Sequence, residues 1–341
     1  MSRTSHAWAP KRATPHACLE EPVFSVVVPM YNEEDNVRET LSRLGAACAL
    51  LDLPFELIPV NDGSRDRTLQ KLHELASDDG RIQPVSYDRN RGRGRAIREG
   101  FRAARGRIVC TIDADLSYAP EYVAAMVTLL LEHPELDYVV GSPYMEGGAT
   151  EGVPAHRLWV SRVGNRILSL AMGCGIHTVT GVLRAYRREV IESLDLESDG
   201  KELHPEIVAK AHAAGFEGLE MPAVLKTRTR GASKFRLRAT AVSHLLFSLH
   251  ERPMLLFGLV GLAVMASGLG LGGYLAFQWW HRSLNPDRPL MTLFPLLFVG
   301  GLQIVLFGFL GSQLVRLRRE LYRLKRSLAD VSPRPPEGDH A

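Results

Sequence analysis

The sequence predicts an open, mostly parallel α/β sheet covered on both faces, followed by a two-helix transmembrane hairpin. Three observations carry this prediction. Short β-branched runs alternate with helix-periodic segments between Val23 and Gly141. Polar motifs follow several of those runs at the point where strand gives way to loop. Two long uncharged apolar stretches, Met254 to Trp280 and Leu290 to Val315, stand near the end of the chain.

Taken in order, residues 1–21 are polar, rich in Pro, Ala and His, and lack an apolar h-region, so they read as a disordered tail rather than a cleaved signal peptide. A domain over residues 22–235 follows. Val23 to Pro29 (VFSVVVP) is a continuous apolar run, the pattern of a strand buried on both faces. Glu33 to Leu51 has helical spacing of Val37, Leu41, Leu44 and Cys48. Strands are expected at 55–60, 82–87, 107–112 and 137–141. Helices are expected at 66–77, 95–105 and 120–132. Such alternation gives a doubly covered parallel sheet, and ligands of such sheets sit beyond the carboxyl ends of the strands.

The chain has 341 residues and a formal net charge of +3, which excludes a polycation that seeks nucleic acid. Its four cysteines are widely spaced with no CxxC, so neither structural zinc nor a disulfide framework is expected. Each apolar stretch exceeds the roughly 20 residues needed to cross a bilayer. Arg316, Arg318, Arg319, Arg323, Lys325 and Arg326 follow the second span, with Glu320 alone against them. That excess puts the tail, residues 316–341, in the cytoplasm, and two spans put the N-terminal domain there too. Residues 236–252 read as an amphipathic interfacial helix that runs into the membrane region at 253–315. Arg157 to Met172 is a second basic amphipathic segment, readable either as a core helix or as a membrane-surface helix. Gly268 and Gly272 form a small-xxx-small pair that allows close helix approach, and the same glycines leave room for self-association.

The chemistry lies at the strand ends. Pro29-Met30-Tyr31-Asn32-Glu33 follows the first strand, Asn61-Asp62-Gly63-Ser64 the second, and Asp113-Ala114-Asp115 the fourth. Two carboxylates one residue apart, where the pleat is lost, can approach one locus and hold Mg²⁺ or Mn²⁺. A cation there would neutralise the charge that develops on a diphosphate leaving group. Asp115 is expected on the metal, with capping of the helix near Pro120 as the competing reading. Asp113 is expected near the ribose or a metal-bound water. Tyr31 can stack on a base and Asp62 can bind base or ribose. Glu33 is equally well placed to favour a helix start through the helix dipole. Arg89 to Gly100 (RNRGRGRAIREG) matches neither GxGxxG nor a Walker loop, and is expected to form a turn and helix start near the donor.

At these residues the chain resembles family 2 glycosyltransferases of GT-A fold, in particular dolichol-phosphate mannose synthases and bacterial polyprenyl-phosphate glycosyltransferases. Val28 to Glu33 reads VPMYNE, Asn61 to Ser64 reads NDGS where the family has DDGS, and Asp113 to Leu116 reads DADL. Gly141 to Tyr144 has Pro143 where Arg is usual. Arg157, Ser161 and Asn165 repeat an R-x-x-x-S-x-x-x-N helix, and Arg228, Gly231, Ser233 and Lys234 an R-x-x-G-x-S-K element. The resemblance covers about residues 23–250. It implies that Pro29, Tyr31, Glu33 and Asp62 bind the nucleoside. It implies that Asp113 and Asp115, with Ala114 between them, hold the diphosphate and the metal. It implies that Arg157, Arg228 and Lys234 surround the donor and acceptor phosphates. Ser117 stands where many synthases place a Gln metal ligand, and a hydroxyl there can still ligate.

The expected activity is transfer of a sugar from a nucleotide-sugar, GDP-mannose ahead of UDP-hexoses, to a polyprenyl or dolichyl monophosphate. The expected place is the cytoplasmic face of the cell membrane. A lipid phosphate is already anionic and needs no catalytic base, only positioning and charge balance. Two competing readings are a transferase acting on a saccharide or glycolipid hydroxyl, and a non-catalytic membrane scaffold that keeps the fold.

Overall fold

The computed structural model describes residues 21–227, 253–281 and 289–331. The chain runs β1 (Phe24–Met30), α1 (Val37–Ala49), β2 (Phe55–Asp62), α2 (Thr68–Asp78), β3 (Val85–Tyr87), α3 (Arg93–Ala103), β4 (Ile108–Thr111) and α4 (Glu121–Glu132). It continues with β5 (Tyr138–Ser142), β6 (Ala149–Glu151), α5 (Ala155–Met172), β7 (Arg184–Arg187), α6 (Arg188–Ser193), α7 (Leu203–Ala214), β8 (Gly218–Pro222) and β9 (Val224–Lys226). Two long helices, α8 (Pro253–Trp280) and α9 (Leu290–Val331), complete the described residues.

Seven strands form one sheet in the order β3-β2-β1-β4-β7-β5-β8, while β6 and β9 pair separately. β1 pairs in parallel with β2 on one side and β4 on the other. β7 is antiparallel to both its neighbours, which makes this the mixed sheet of a GT-A-like fold. Val26 and Val28 face a core with Leu41 and Leu44 of α1 and Met126 and Leu130 of α4. Val27, Ile58 and Val109 face α3 on the other side. Both faces are covered, which is why the strands read as unbroken apolar runs rather than alternating ones.

Two element starts differ from the sequence expectation by three residues or more. α1 starts at Val37 rather than Glu33, because Asn32 adopts a left-handed φ of 53° and residues 32–34 are tied to the loop before α2. β3 starts at Val85, preceded by a single bridge between Ile82 and Leu57.

The spans Phe257–Trp280 and Leu290–Leu317 are long and apolar enough to cross a membrane, with mean hydropathy 1.7 and 2.3. Most of their side chains are exposed, unlike those of a soluble core helix. They pack at small residues: a Cβ on Gly261 would lie 2.7 Å from the Gly301 carbonyl oxygen, and one on Gly268 would lie 3.0 Å from the Phe298 nitrogen. Gly308 of α9 lies against Met254 and Phe257, so residues beyond it are at the end nearest the N-terminal domain. α9 packs against α7 and α6 of that domain.

Candidate active site

The sheet changes direction at β1. The chain builds outward to β2 and β3, then returns to lay β4 on the opposite side of β1. The carboxyl ends of these strands form the edge at which such sheets bind ligands in a crevice. Asp113-Ala114-Asp115 leaves β4 at that edge beside the loop that follows β1.

The motif is held from several directions. Ala114 is buried, and its carbonyl accepts a 2.5 Å hydrogen bond from the Thr40 hydroxyl of α1. Asp115 is 8% exposed, and its Oδ1 accepts from the Ser117 backbone N–H at 3.0 Å. Leu116 takes a left-handed φ of 51°, which closes this tight turn. The Ser117 carbonyl accepts from Lys226 N–H in β9 at 2.8 Å, joining the turn to the strand that leads toward Arg228. Asp113 is more open, and Arg93 at the start of α3 donates from Nη1 to its Oδ1 at 3.3 Å. The Tyr118 phenol is buried nearby, and burial, then the Asp113 charge, push its pKa up.

Thr40 and Arg93 were not singled out as site residues from the sequence. Thr40 carries no signal, being one polar position on an amphipathic helix. Arg93 had one: it sits in the basic Arg89–Gly100 segment, which does form the turn and helix start expected of it.

Asp62 is engaged within the protein. Its Oδ1 accepts from the Tyr87 hydroxyl at 2.8 Å and Arg91 N–H at 2.7 Å. Its Oδ2 accepts from Asn90 Nδ2 at 2.9 Å and Gly92 N–H at 3.0 Å. Four donors fill the capacity of a carboxylate, so Asp62 shapes the Arg89–Gly92 loop. Burial, then the Asp62 hydrogen bond, push the Tyr87 phenol above its ordinary pKa and keep it a donor. Gly63 makes the loop possible: its φ is 60°, and a Cβ there would lie 2.4 Å from Asn90 N. Asn61, in place of the family acid, is buried and uses both amide functions, donating to Ser86 Oγ and accepting from Ser64 N–H.

Pro29 is half-buried at the end of β1, and Tyr31 stands at the head of the following loop. Glu33 is engaged locally: its carboxylate accepts from Asn36 Nδ2 at 2.6 Å and its N–H donates to Thr68 Oγ1. That favours the helix-start reading over nucleoside contact. Arg157 is in the first turn of α5, half-buried. Ser161 of the same helix accepts from the Tyr144 hydroxyl, and Asn165 accepts from Val179 and Thr180 N–H. One face of α5 thus docks on the domain, while Trp159, Ile167 and Leu170 on the other are 68%, 49% and 65% exposed. Arg228 and Lys234, and the expected helix at 236–252, lie outside the described residues.

Among the described residues no cluster of three or more His, Cys, Asp or Glu side chains forms a ready cation cage. The pair Asp113 and Asp115 still fits Mg²⁺ or Mn²⁺, since such ions are commonly held by one or two carboxylates together with substrate phosphates.

α7 shares a core with α3 through Ile97, Leu203 and Ile207, and the loop before it lies against Gly92 and Gly94 at the start of α3. Glu206 accepts from Glu197 and Ser198 N–H at 2.9 Å each and pairs with Lys210 at 2.5 Å, which pins the loop before α7. Burial alone would raise its carboxyl pKa, but the Lys210 and backbone hydrogen bonds outweigh it and the net shift is downward. His204, two residues earlier, is 1% exposed, and both of its ring nitrogens lack a partner among the described residues.

The glycosyl transferase family 2 model matches residues 25–195. The undecaprenyl-phosphate 4-deoxy-4-formamido-L-arabinose transferase of Pseudomonas aeruginosa is 33% identical over 307 residues, covering 86% of each chain. The protein of that name from Pectobacterium carotovorum is 30% identical over 326 residues, covering 91% of this chain and 94% of its own. Glucosyl-3-phosphoglycerate synthase from Mycobacterium tuberculosis, solved with phosphoglyceric acid, has the same fold with a TM-score of 0.51 at 22% identity, covering 67% of this chain and 80% of its own.

Proposed function

The chain belongs to glycosyltransferase family 2, and we propose that it moves a sugar from a nucleotide-sugar onto a polyprenyl monophosphate at the cytoplasmic face of a membrane. One observation carries this reading furthest: the Asp113–Asp115 edge belongs to a domain whose α7 and α6 pack against the end of an apolar hairpin helix. That packing keeps the crevice near a bilayer surface, where a lipid phosphate can reach it. The relatives' names, which specify undecaprenyl phosphate, support the same acceptor. The exposed Trp159, Ile167 and Leu170, flanked by Arg162 and Arg166, suit α5 to an anionic leaflet.

In this reading Asp113 and Asp115 hold a divalent cation together with the donor diphosphate. When bound, that cation neutralises charge on the departing nucleoside diphosphate. Arg93 orients Asp113, and Thr40 fixes the backbone between the two acids. Ser117 is retained as a proposed metal contact, and Arg157, Arg228 and Lys234 as proposed contacts of the phosphates. Guanidinium groups suit this by bidentate hydrogen bonding. The acceptor oxygen is already anionic, so the protein's contribution is alignment and charge balance rather than proton removal. In-line attack inverts the anomeric carbon. For the sugar, the relatives move the proposal away from mannose toward the 4-deoxy-4-formamido-L-arabinose class.

The test uses purified full-length protein, undecaprenyl phosphate, and labelled UDP- and GDP-sugars, including both UDP-4-deoxy-4-formamido-L-arabinose and GDP-mannose. Lipid-linked product with Mg²⁺ or Mn²⁺, abolished by EDTA and by Asp115→Ala, is the expected result. No lipid-linked product from any donor would leave a scaffold role instead, and retained anomeric configuration by NMR would exclude single in-line attack.

A further inference from the structure

Directly behind Asp113 lies a buried polar cluster that the reaction as described does not use. Val109 of β4 faces α3, and Tyr186 of β7, its pairing partner, packs with Leu203 and Ile207 of α7; strand alternation puts Thr111, and Asp113 just past the strand end, on that same side. β7 runs antiparallel to β4 with Arg184 opposite Thr111, so Arg184 stands on that face one pair below Asp113. Arg184 is fully buried. Its Nε donates to the Gly181 carbonyl at 2.7 Å and its Nη2 to the Val179 carbonyl, while its Nη1 has no partner among the described residues. Arg93 Nε is buried without a partner too, although Nη1 of the same side chain reaches Asp113. His204 brings two more such atoms from the first turn of α7. Burial, then the positive charges of Arg184 and Arg93, hold its imidazole well below the usual pKa, so the ring is neutral, with one N–H and one acceptor nitrogen.

Buried polar atoms are nearly always satisfied, and exceptions that collect in one place call for a ligand. Here four are on the guanidinium and imidazole groups of Arg93, Arg184 and His204, which lie within electrostatic reach of one another, and Arg93 ties them to Asp113 of the donor edge. The cluster is rich in donors, with a single acceptor. Its complement is a neutral substituent that offers an acceptor oxygen together with one hydrogen to donate, as a hydroxyl or an acylamino group does.

We propose that His204, together with Arg93 and Arg184, recognises a hydroxyl or acylamino substituent on the sugar ring of the bound nucleotide-sugar. This rests on the reading that the Asp113–Asp115 edge is the donor site. Arg93 is the link, since its buried Nε belongs to the cluster and its outer nitrogen meets Asp113. Rotation of that long side chain opens His204 to the sugar. His204 is then a specificity residue: it does not touch the diphosphate or the lipid.

The experiment compares binding of UDP with UDP-4-deoxy-4-formamido-L-arabinose, and of GDP with GDP-mannose, by calorimetry on full-length protein in nanodiscs. Wild type, His204→Leu and His204→Gln are measured with Mg²⁺ present. The expected result is that His204→Leu weakens the preferred nucleotide-sugar at least tenfold and leaves its nucleoside diphosphate unchanged. His204→Gln, which keeps a donor and an acceptor, should recover part of the loss. His204→Leu should also melt no lower than wild type, because it removes two unsatisfied polar atoms. Equal weakening of sugar-nucleotide and diphosphate, or no weakening of either, overturns the proposal. Should the Leu variant fail to fold, His204→Ala is measured in its place, and unchanged sugar-nucleotide binding by that variant overturns the proposal as well. Wild type that binds none of the four compounds overturns the donor-site reading itself, a distinct outcome.

Discussion

At the scale of single residues, the site depends on side chains that never meet the substrate. Thr40 is the clearest case. Its hydroxyl is buried and donates to the carbonyl between the two acids, so the backbone of Asp113 and Asp115 is referenced to α1. Thr40→Val keeps the shape and leaves that buried carbonyl without its partner, at a cost of about 1–3 kcal/mol. A lower melting temperature is expected, with a transfer rate reduced by about tenfold or more as the acids lose alignment. Thr40→Ser should restore both, measured by thermal melt and by product formation. Asp62 teaches the same point from the other direction: its charge is used up in building the Arg89–Gly92 loop, and that loop positions Arg93.

At the scale of elements, α7 carries a buried ion pair whose loss has a definite sign. Glu206 and Lys210 have side chains only 7% and 11% exposed. Glu206→Ala strands the Lys210 charge and should destabilise the domain by about 3–5 kcal/mol. Replacing both residues with apolar ones of similar volume should recover most of that, in a denaturant melt of each variant. The carboxyl of Glu206 has its pKa lowered below the ordinary 4.5 in the folded protein. The stability it contributes is therefore present above 4.5 and is lost as pH falls through the lowered value. Wild type should lose melting temperature below about pH 4.5 more steeply than Glu206→Gln, which has no proton to gain there.

At the scale of the whole molecule, α9 is the organising feature. Its 42 residues make about 63 Å of helix, whereas the apolar core of a bilayer is about 30 Å thick. The surplus extends past the span and packs on α7 and α6. In the proposed hairpin topology the domain and the end of α9 occupy one side of the membrane. The basic residues from Arg316 onward argue that this side is the cytoplasm. Single cysteines in a cysteine-free background test this with an impermeant maleimide on intact cells. A cysteine between Arg282 and Arg288 should react from outside, and one between Ser332 and Ala341 only after permeabilisation. Both reacting from the same side would contradict the hairpin.

The sequence by itself determined the strand–helix alternation, the apolar hairpin, and the location of Asp113 and Asp115 at a strand end. These rest on local periodicity, composition and short motifs, which the chain carries in contiguous residues. It also located the Arg89–Gly100 turn and helix start. Only the tertiary structure decided that Asp62 is saturated by Tyr87, Asn90, Arg91 and Gly92, that Glu33 is engaged by Asn36, and that Arg93 belongs to Asp113. Thr40 and Ala114 are 74 residues apart, and Arg184, His204 and Arg93 come from three different elements. No local pattern encodes such meetings. They arise because β4 is inserted beside β1, and because burial then selects which polar groups find partners and which are left to a ligand.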